Sequence, residues 1–370
     1  MNVVTEPVAA RPAPERRGGA LSWMRAHLFG SIGNAVATIA LAAVAVAVLP
    51  PAVDWAVVHA VVRPDSDACQ AARGTGACWG GVVEKFRLIV FGRYPYAEQG
   101  RPVVATLLVV ALLVASCTRR LWSRWLVALW IAVLAASFVL MRGGFFGLAV
   151  VATDLWGGLP LTLLLSTLSL AAAFPLSVLI ALGRRSHLPL IRALCTVYVE
   201  LVRGVPLISV LFMASFMFPL LLPAGVTIDV LLRVLAGITL FAAAYGAEVV
   251  RGGLQAIGRG QHEAAAALGL STWQAQRKVV LPQALAIVVP GLMNNFISTF
   301  KDTSLVTIVS LYELTGSLGL AFNSDGQWRP FRIEAYLFIA AIYWIFCFSM
   351  SRYSRWIERR LDRGTGKAVA

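Results

Sequence analysis

Long apolar runs separated by short polar stretches dominate this chain. A helix needs ~20 apolar residues to cross a hydrocarbon core of ~30 Å. Eight stretches meet or approach that length, and we predict a membrane-spanning helix in each of them: 30–50, 102–118, 122–141, 159–182, 193–222, 229–250, 284–300 and 333–351. The pattern therefore predicts an all-α polytopic membrane protein with about eight transmembrane helices.

Two of these stretches allow a second interpretation. The first carries no charge between residues 32 and 49, but arginines precede it, so a cleaved signal peptide is an alternative to a retained helix. Its length and the lack of a small-residue cleavage site favour a retained helix that ends at Pro50 and Pro51. The seventh stretch is the weakest, because Pro290 interrupts it.

Composition supports the membrane interpretation. Of 370 residues, 59% are apolar and 14% are charged, against ~45–50% and ~25% in soluble domains. The mean hydropathy is +0.76. These values exclude a disordered chain and argue against a soluble enzyme. In a soluble protein the net charge of +14 would suggest a nucleic-acid partner, but basic residues also mark the cytoplasmic side of membrane proteins. We therefore expect no nucleic-acid partner.

The basic residues also predict an orientation. With the N-terminus inside, most lysines and arginines fall in the inner segments, which are 1–29, 118–124, 183–192, 251–283 and 352–370. An even number of spans then places both termini in the cytoplasm.

The N-terminal third carries no chemical motif. We expect a disordered cytoplasmic arm over 1–29 and a membrane addition over 30–156 that includes a periplasmic loop at 51–101. Cys69 and Cys78 lie in this loop. Because the compartment outside a bacterial inner membrane is oxidising, a short disulfide loop is expected, with two unpaired thiols as the alternative. No His or further Cys completes a metal-ligand set, so no metal site is predicted.

From about residue 157 onward, ionisable residues lie at or inside the span ends. They are Glu200, Arg203, Glu248, Arg251, Lys301 and Asp302. Ionisable groups within a membrane are costly and are candidates for function. A structural alternative is pairing within one helix, because Glu200 and Arg203 are three residues apart, as are Glu248 and Arg251.

The most informative polar segment is 251–283. Strong helix formers and an alanine run predict a short helix over Gln261–Leu270, with Gly269 near its end. Ser271 can cap a second helix over Thr272–Val280, before Leu281-Pro282 turns the chain back to the membrane. The smooth alanine face predicts a helix-turn-helix docking surface lying parallel to the bilayer. The alternative is an ordinary cytoplasmic loop.

The spacing in this segment resembles a known motif. Glu263-Ala264-Ala265, Gly269, Val279 and Leu281-Pro282 resemble the EAA loop of permease subunits of bacterial ABC importers, where Val279 stands in place of the favoured Ile. That loop contributes a coupling helix to a cleft of the ATP-binding subunit. The resemblance implies the following coupling residues: Gln261, Glu263, Ala264, Ala265, Gly269, Leu281 and Pro282.

Flanking motifs narrow the resemblance. The segments 200–207 (E-x-x-R-G-x-P-L), 245–253 and 301–305 are similar to the permeases of polar amino acid uptake. The resemblance covers 157–355, the five-span permease core, and leaves 356–370 as a basic cytoplasmic tail. The N-terminal addition and the end of the core resemble the M-type permease of general L-amino acid uptake systems.

This resemblance implies an ATP-driven importer of L-amino acids in the bacterial inner membrane. The implied partners are a second homologous permease, a dimer of ATP-binding subunits and a periplasmic amino-acid-binding protein. No phosphate-binding G-x-x-x-x-G-K-[ST] motif and no catalytic motif occur in the chain. We therefore expect no catalytic residue and no cofactor in this chain, with ATP and Mg²⁺ bound by a partner. The alternative is a secondary transporter driven by an ion gradient, whose usual paired repeats are missing here.

An amino acid that crosses the bilayer needs partners for both of its charges, because unpaired ions are costly in a medium of low dielectric constant. Arg203 and Lys301 are the candidate partners for the carboxylate, and Glu200 and Glu248 for the ammonium. Arg203 is the leading candidate, because the glycine and proline that follow it weaken the helix and can free backbone groups to line a cavity.

Overall fold

The computed structural model describes residues 19–223 and 225–364, and these fold almost entirely into helices. The α-helices are α1 Ala20–His27, α2 Ile32–Val53, α3 Ser66–Ala71, α4 Gly80–Phe91, α5 Gly100–Ser116, α6 Arg124–Arg142, α7 Gly158–Arg184, α8 Pro189–Gly204, α9 Leu207–Phe212, α10 Val230–Ala256, α11 Arg259–Ala267, α12 Thr272–Ala275, α13 Leu281–Asp302, α14 Leu314–Asn323 and α15 Arg332–Gly364. A two-residue strand, β1 Tyr312–Glu313, pairs in parallel with residues 157 and 158. The predicted all-α class is confirmed.

Six helical stretches of the described chain are long and apolar enough to cross a membrane: Ile32–Val58, Trp125–Arg142, Gly158–Arg184, Val230–Ala256, Thr272–Val309 and Arg329–Arg360. The shorter apolar helix α5 and the bent pair Pro189–Gly204 and Leu207–Leu221 complete the set. Each of the eight stretches that hydropathy predicts therefore overlaps one of these segments, of which six, or seven if the bent pair is one span, have the length and hydropathy to cross a membrane.

The stretch predicted over 193–222 is not one unbroken helix. The helix breaks after Gly204, and its two parts are bent by 105°. Val205 is extended, with ψ 136°, because the ring of Pro206 disfavours the helical conformation of the residue before it.

Other predicted details also differ in the structure. The first membrane helix runs through Pro50 and Pro51, and a π-helical turn extends it to Val58. Pro290 does not interrupt the seventh, since α13 is continuous across it. Prolines are tolerated in such helices where neighbouring groups satisfy the freed carbonyls.

The two terminal segments also differ from the prediction. Residues 20–27 of the predicted disordered arm form α1, while 1–18 lie outside the described residues. The predicted basic tail begins within α15, and its residues 365–370 also lie outside the described range.

The described chain divides into two compact units. The first comprises residues 19–62 and 67–78, and the second comprises 63–66 and 79–364, apart from residue 224. In the first unit, the segment after α2 is tied by backbone hydrogen bonds from Ala77 N to Trp55 O (2.8 Å) and from Val61 N to Ala77 O (2.8 Å). A disulfide joins Cys69 to Cys78, and both side chains are buried.

We expect Cys69 and Cys78 to be oxidised to each other in the cell, and Cys69→Ser to lower the free energy of unfolding by roughly 2–3 kcal/mol, because the bridge restricts the unfolded chain. Cys117→Ser is the matched control, because that thiol is free and exposed. Mass mapping under non-reducing conditions measures the pairing. Free thiols at both positions would contradict the expectation.

The second unit is built on α7 and α10, which pack along much of their lengths. Their contact is lined by small residues, among them Ala173, Ala243 and Ala247. At Gly246 a Cβ atom would overlap the Ser177 hydroxyl, so a larger residue would push the two helices apart or displace that side chain. Small residues are the usual means by which membrane helices pack closely. This contact fixes the relative positions of the charged residues at the ends of both helices.

The second half of the predicted loop 51–101 belongs to this core. Helix α4 packs against α14, and Lys85 Nζ lies 2.8 Å from Asp325 Oδ2. The buried Arg101 donates from Nε to Leu140 O (2.8 Å), and the Tyr94 hydroxyl donates to Met141 O (2.8 Å). Residues 79–101 are therefore packed structure rather than an open loop.

Candidate functional site

The polar segment between α10 and α13 begins with α11, whose end is closed by a left-handed turn. Gly269 has φ +72°, its N–H donates to Ala266 O (2.9 Å), and Leu270 N–H donates to Ala265 O (3.1 Å). This is a common way to satisfy the last carbonyls of a helix, and it favours glycine because an L side chain is strained there. The helix predicted over Gln261–Leu270 is present, shifted to Arg259–Ala267.

The predicted cap at Ser271 is confirmed. Its hydroxyl accepts a hydrogen bond from Gln274 N (3.3 Å), and the Gln274 side chain accepts one from Ser271 N (3.0 Å). The predicted turn at Leu281-Pro282 is wrong, because α12 continues through the π-helical turn Gln276–Val280 directly into α13. Pro282 lies in the first turn of α13, where its missing N–H costs little. The second loop helix is therefore a rigid extension of a membrane span.

The loop has an inner and an outer face. Ala265 is buried, and the Gln283 amide donates to Gln261 Oε1 (3.0 Å), which holds α11 against the start of α13. On the outer face, Leu268 is 80% exposed and Trp273 is 64% exposed. Glu263, Ala264, Gly269 and Pro282 are also exposed, while Leu281 is half-buried and Ala265 faces the chain itself. We call this exposed surface, formed by residues 263, 264, 268, 269 and 273, the docking face.

A cluster of charged side chains joins helices α7, α8 and α10. Arg184, at the end of α7, donates from Nη1 to Glu248 Oε2 (2.7 Å) on α10 and from Nη2 to Glu200 Oε1 (3.0 Å) on α8. Glu248 also pairs with Arg251, as the spacing of three residues predicts. The Glu200–Arg203 pair considered from the same spacing is wrong, because the carboxylate of Glu200 turns to Arg184 instead.

The two candidate cations have a different environment. The guanidinium of Arg203 lies 5.5 Å from the centre of the Tyr245 ring, within the range of a cation–π contact. Neither Arg203 nor the exposed Lys301 forms an ion pair with another described residue. The structure thus brings Glu200 and Glu248 together around Arg184, whereas Arg203 and Lys301 lie outside this cluster of ion pairs.

Sequence reasoning did not find Glu313, which is completely buried. Its Oε1 accepts from Thr315 N (2.9 Å) and Gly316 N (3.0 Å), and its Oε2 accepts from the Tyr343 hydroxyl (2.8 Å). Burial raises the pKa of the Glu313 carboxyl, and the donors of Thr315 and Gly316 partly oppose this rise. A glutamate immediately before α14 was a local signal, because an acceptor is favoured at a helix N-terminus.

The described residues contain no group of three or more His, Cys, Asp or Glu side chains that could hold a metal ion. The fold is that of a polytopic membrane protein with an ordered, polar helical loop between two of its spans. Residues 173–363 match the family described as binding-protein-dependent transport system inner membrane component, and the chain belongs to this family.

Named relatives cover nearly the whole chain. The inner membrane amino-acid ABC transporter permease protein YhdY of Escherichia coli (strain K12) is 45% identical over 359 residues, which cover 96% of each chain. The glutamate/glutamine/aspartate/asparagine transport system permease protein BztC of Rhodobacter capsulatus is 36% identical over an alignment of 427 positions, which covers 98% of each chain. Among solved structures, a chain from the crystal structure of an amino acid ABC transporter with histidines has 30% sequence identity to this chain and a TM-score of 0.48. The match covers 54% of this chain and 90% of the other.

The chain is therefore the permease subunit of an ABC importer rather than a secondary transporter. It is a multi-pass protein of the inner membrane. Its family works together with ATP-binding and substrate-binding components.

Proposed function

We propose that this permease imports L-amino acids. Support comes from the two relatives that align over nearly the whole chain, since both are named as transporters of amino acids. Its partners are a second homologous permease, a dimer of ATP-binding subunits and a periplasmic amino-acid-binding protein. The distribution of lysine and arginine supports cytoplasmic positions for both termini and for the docking face.

The observation that carries the coupling proposal is the docking face. It stays exposed although the loop beneath it is fixed by the Ser271–Gln274 capping box, the Gln261–Gln283 hydrogen bond and the buried Ala265. Because α12 leads without a break into α13, a force on this face reaches the membrane span directly. In our proposal Gln261, Glu263, Ala264, Gly269, Leu281 and Pro282 shape the contact with an ATP-binding subunit, and Ala265 supports it from within.

Hydrolysis belongs to the partner in this proposal. The chain lacks the glycine-rich sequence that cradles phosphates, so ATP and Mg²⁺ bind the ATP-binding subunit and this chain has no catalytic residue or cofactor of its own. Affinity purification of the tagged chain, expressed together with the proteins encoded beside it, tests the proposal. We expect a nucleotide-hydrolysing subunit to co-purify, whereas a chain that purifies alone and transports with an ion gradient would contradict it.

For the substrate pathway, Arg203 is the leading partner of the amino acid carboxylate, and Lys301 is the second. Support comes from the position of Arg203 at the bend between α8 and α9, and from its guanidinium, which lies against the Tyr245 ring and forms no ion pair with a described carboxylate. Glu200 and Glu248 remain candidates for the ammonium, but each would share its carboxylate with Arg184.

We expect Arg203→Gln to lower amino acid uptake about 10- to 100-fold, because a charged hydrogen bond contributes roughly 1.5–3 kcal/mol. Arg192→Gln is the matched control, since Arg192 is exposed on the same helix. Uptake of labelled amino acid is measured at equal amounts of assembled complex. Uptake by Arg203→Gln at the level of Arg192→Gln would exclude the pathway role.

A further inference from the structure

The last helix carries a continuous stripe of side chains that face away from the protein. Leu337, Trp344 and Phe348 are exposed on α15, and Arg352, Arg355 and Arg359 are exposed further along it. At 100° per residue, these six positions lie within an arc of about 80°. We call this surface the outer stripe of α15.

The opposite side of α15 is packed against the protein. The Tyr353 hydroxyl donates to Ser116 O (3.2 Å) at the end of α5, and Ser354 is buried. The outer stripe is therefore turned away from the core of its own unit.

The stripe changes from apolar to basic over one helical turn. Trp344 and Phe348 stack on each other with ring centres 4.9 Å apart, and Arg352 follows Phe348 after a rise of about 6 Å. Aromatic side chains favour the boundary between hydrocarbon and headgroups, and arginines just beyond it face the phosphates. The polarity along the stripe matches a phospholipid, with the acyl chains on the aromatic part and the phosphate on the arginines.

The arginines of the stripe are not neutralised within the described chain. None of Arg352, Arg355 and Arg359 forms an ion pair with another described residue, and the exposed Glu358 is the one carboxylate between residues 352 and 360. Three positive charges within two turns leave a local excess that an anionic group would complement.

We propose that the outer stripe of α15 is a binding site for anionic phospholipid. The phosphate lies among Arg352, Arg355 and Arg359, and the acyl chains lie along Phe348 and Trp344. Charge complementarity selects the anionic headgroup, and the exposed aromatic pair favours a lipid over a soluble phosphate, which has no apolar part to occupy that surface. The site does not depend on which substrate the permease transports.

The test titrates purified, delipidated full-length protein with dioleoyl phosphatidylglycerol or dioleoyl phosphatidylcholine, which have the same acyl chains, and counts bound lipid by native mass spectrometry. The variant is Arg352→Gln with Arg355→Gln and Arg359→Gln. The charge-matched control is Arg63→Gln with Arg73→Gln and Arg329→Gln, three exposed arginines elsewhere. Glutamine is a good helix former, so α15 should remain folded.

We expect wild type and the control to prefer phosphatidylglycerol, and the stripe variant to lose on the order of a hundredfold of its affinity for that lipid while its affinity for phosphatidylcholine stays the same. An unchanged preference in the stripe variant would overturn the proposal, as would an equal loss in the control, which would reflect net charge alone. A stripe variant that keeps the lipid but loses a co-purifying protein subunit would show that the surface serves a protein, and would also overturn it.

Discussion

Gly269→Asp is expected to abolish ATP-driven uptake while the protein still inserts into the membrane and remains folded. A Cβ atom at this position would meet no described atom within 4 Å apart from those of the adjacent residues, so a side chain would project from the docking face. Aspartate is among the residues that best tolerate a positive φ, which limits the damage to the turn itself. The added charge and bulk would instead enter the contact with the ATP-binding subunit.

Two matched variants separate the effect of the added charge from the effects of bulk and of backbone strain. Gly269→Asn has nearly the same shape and backbone tolerance as aspartate but no charge, and Gly269→Ala adds little bulk at the cost of about 1 kcal/mol of backbone strain. We expect uptake to fall in the order glycine, alanine, asparagine, aspartate. Uptake is measured for each variant against its amount in the membrane. Normal uptake by membrane-inserted Gly269→Asp would remove the docking face from the coupling role.

Glu313→Ala should give the largest loss of stability, about 3 kcal/mol or more in the free energy of unfolding. The substitution removes the acceptor of the Thr315 and Gly316 N–H groups, and a group left unpaired in this way costs roughly 1–3 kcal/mol. It also removes the stronger partner of the Tyr343 hydroxyl, which keeps Thr315 Oγ1 at 3.4 Å. Because Tyr343 belongs to α15 and the two amides begin α14, their packing should loosen together. Unfolding in detergent, followed by circular dichroism, measures the loss.

Glu313→Gln is the control for this effect. The amide oxygen can still accept from Thr315 and Gly316, and the hydroxyl of Tyr343 can turn to accept from the amide nitrogen. We expect a loss of about 1 kcal/mol or less. An alanine variant as stable as the glutamine variant would show that this cluster does not hold α14 to α15.

The membrane helices were predictable because hydrocarbon thickness sets a length that apolar runs must meet. Local chemistry also sufficed at Ser271, whose cap depends on residues three positions away. Hydropathy failed at Pro206, because the apolar run continues across the break that this proline causes in the backbone. The local rule that a proline ends a helix failed at Pro282, because a proline in the first turn of a helix does not end that helix.

The cluster of charged side chains around Arg184 was only partly predictable, because spacing along one helix does not reveal partners on other helices. Helical spacing places Glu248 beside Arg251, and the structure contains that pair. The same rule misassigned Glu200, because its partner Arg184 comes from another helix 16 residues earlier. Only the packing of α7 against α8 and α10 brings these side chains together, and spacing along one helix carries no information about that packing.

Transport by the reconstituted complex tests the central claim most directly. The tagged chain and its co-purifying subunits are placed in vesicles, ATP is supplied on the side of the docking face, and labelled amino acid is supplied with the binding protein on the other side. We predict that uptake requires both ATP and the binding protein and continues after ionophores collapse all ion gradients. Uptake that follows an ion gradient without ATP would contradict the account.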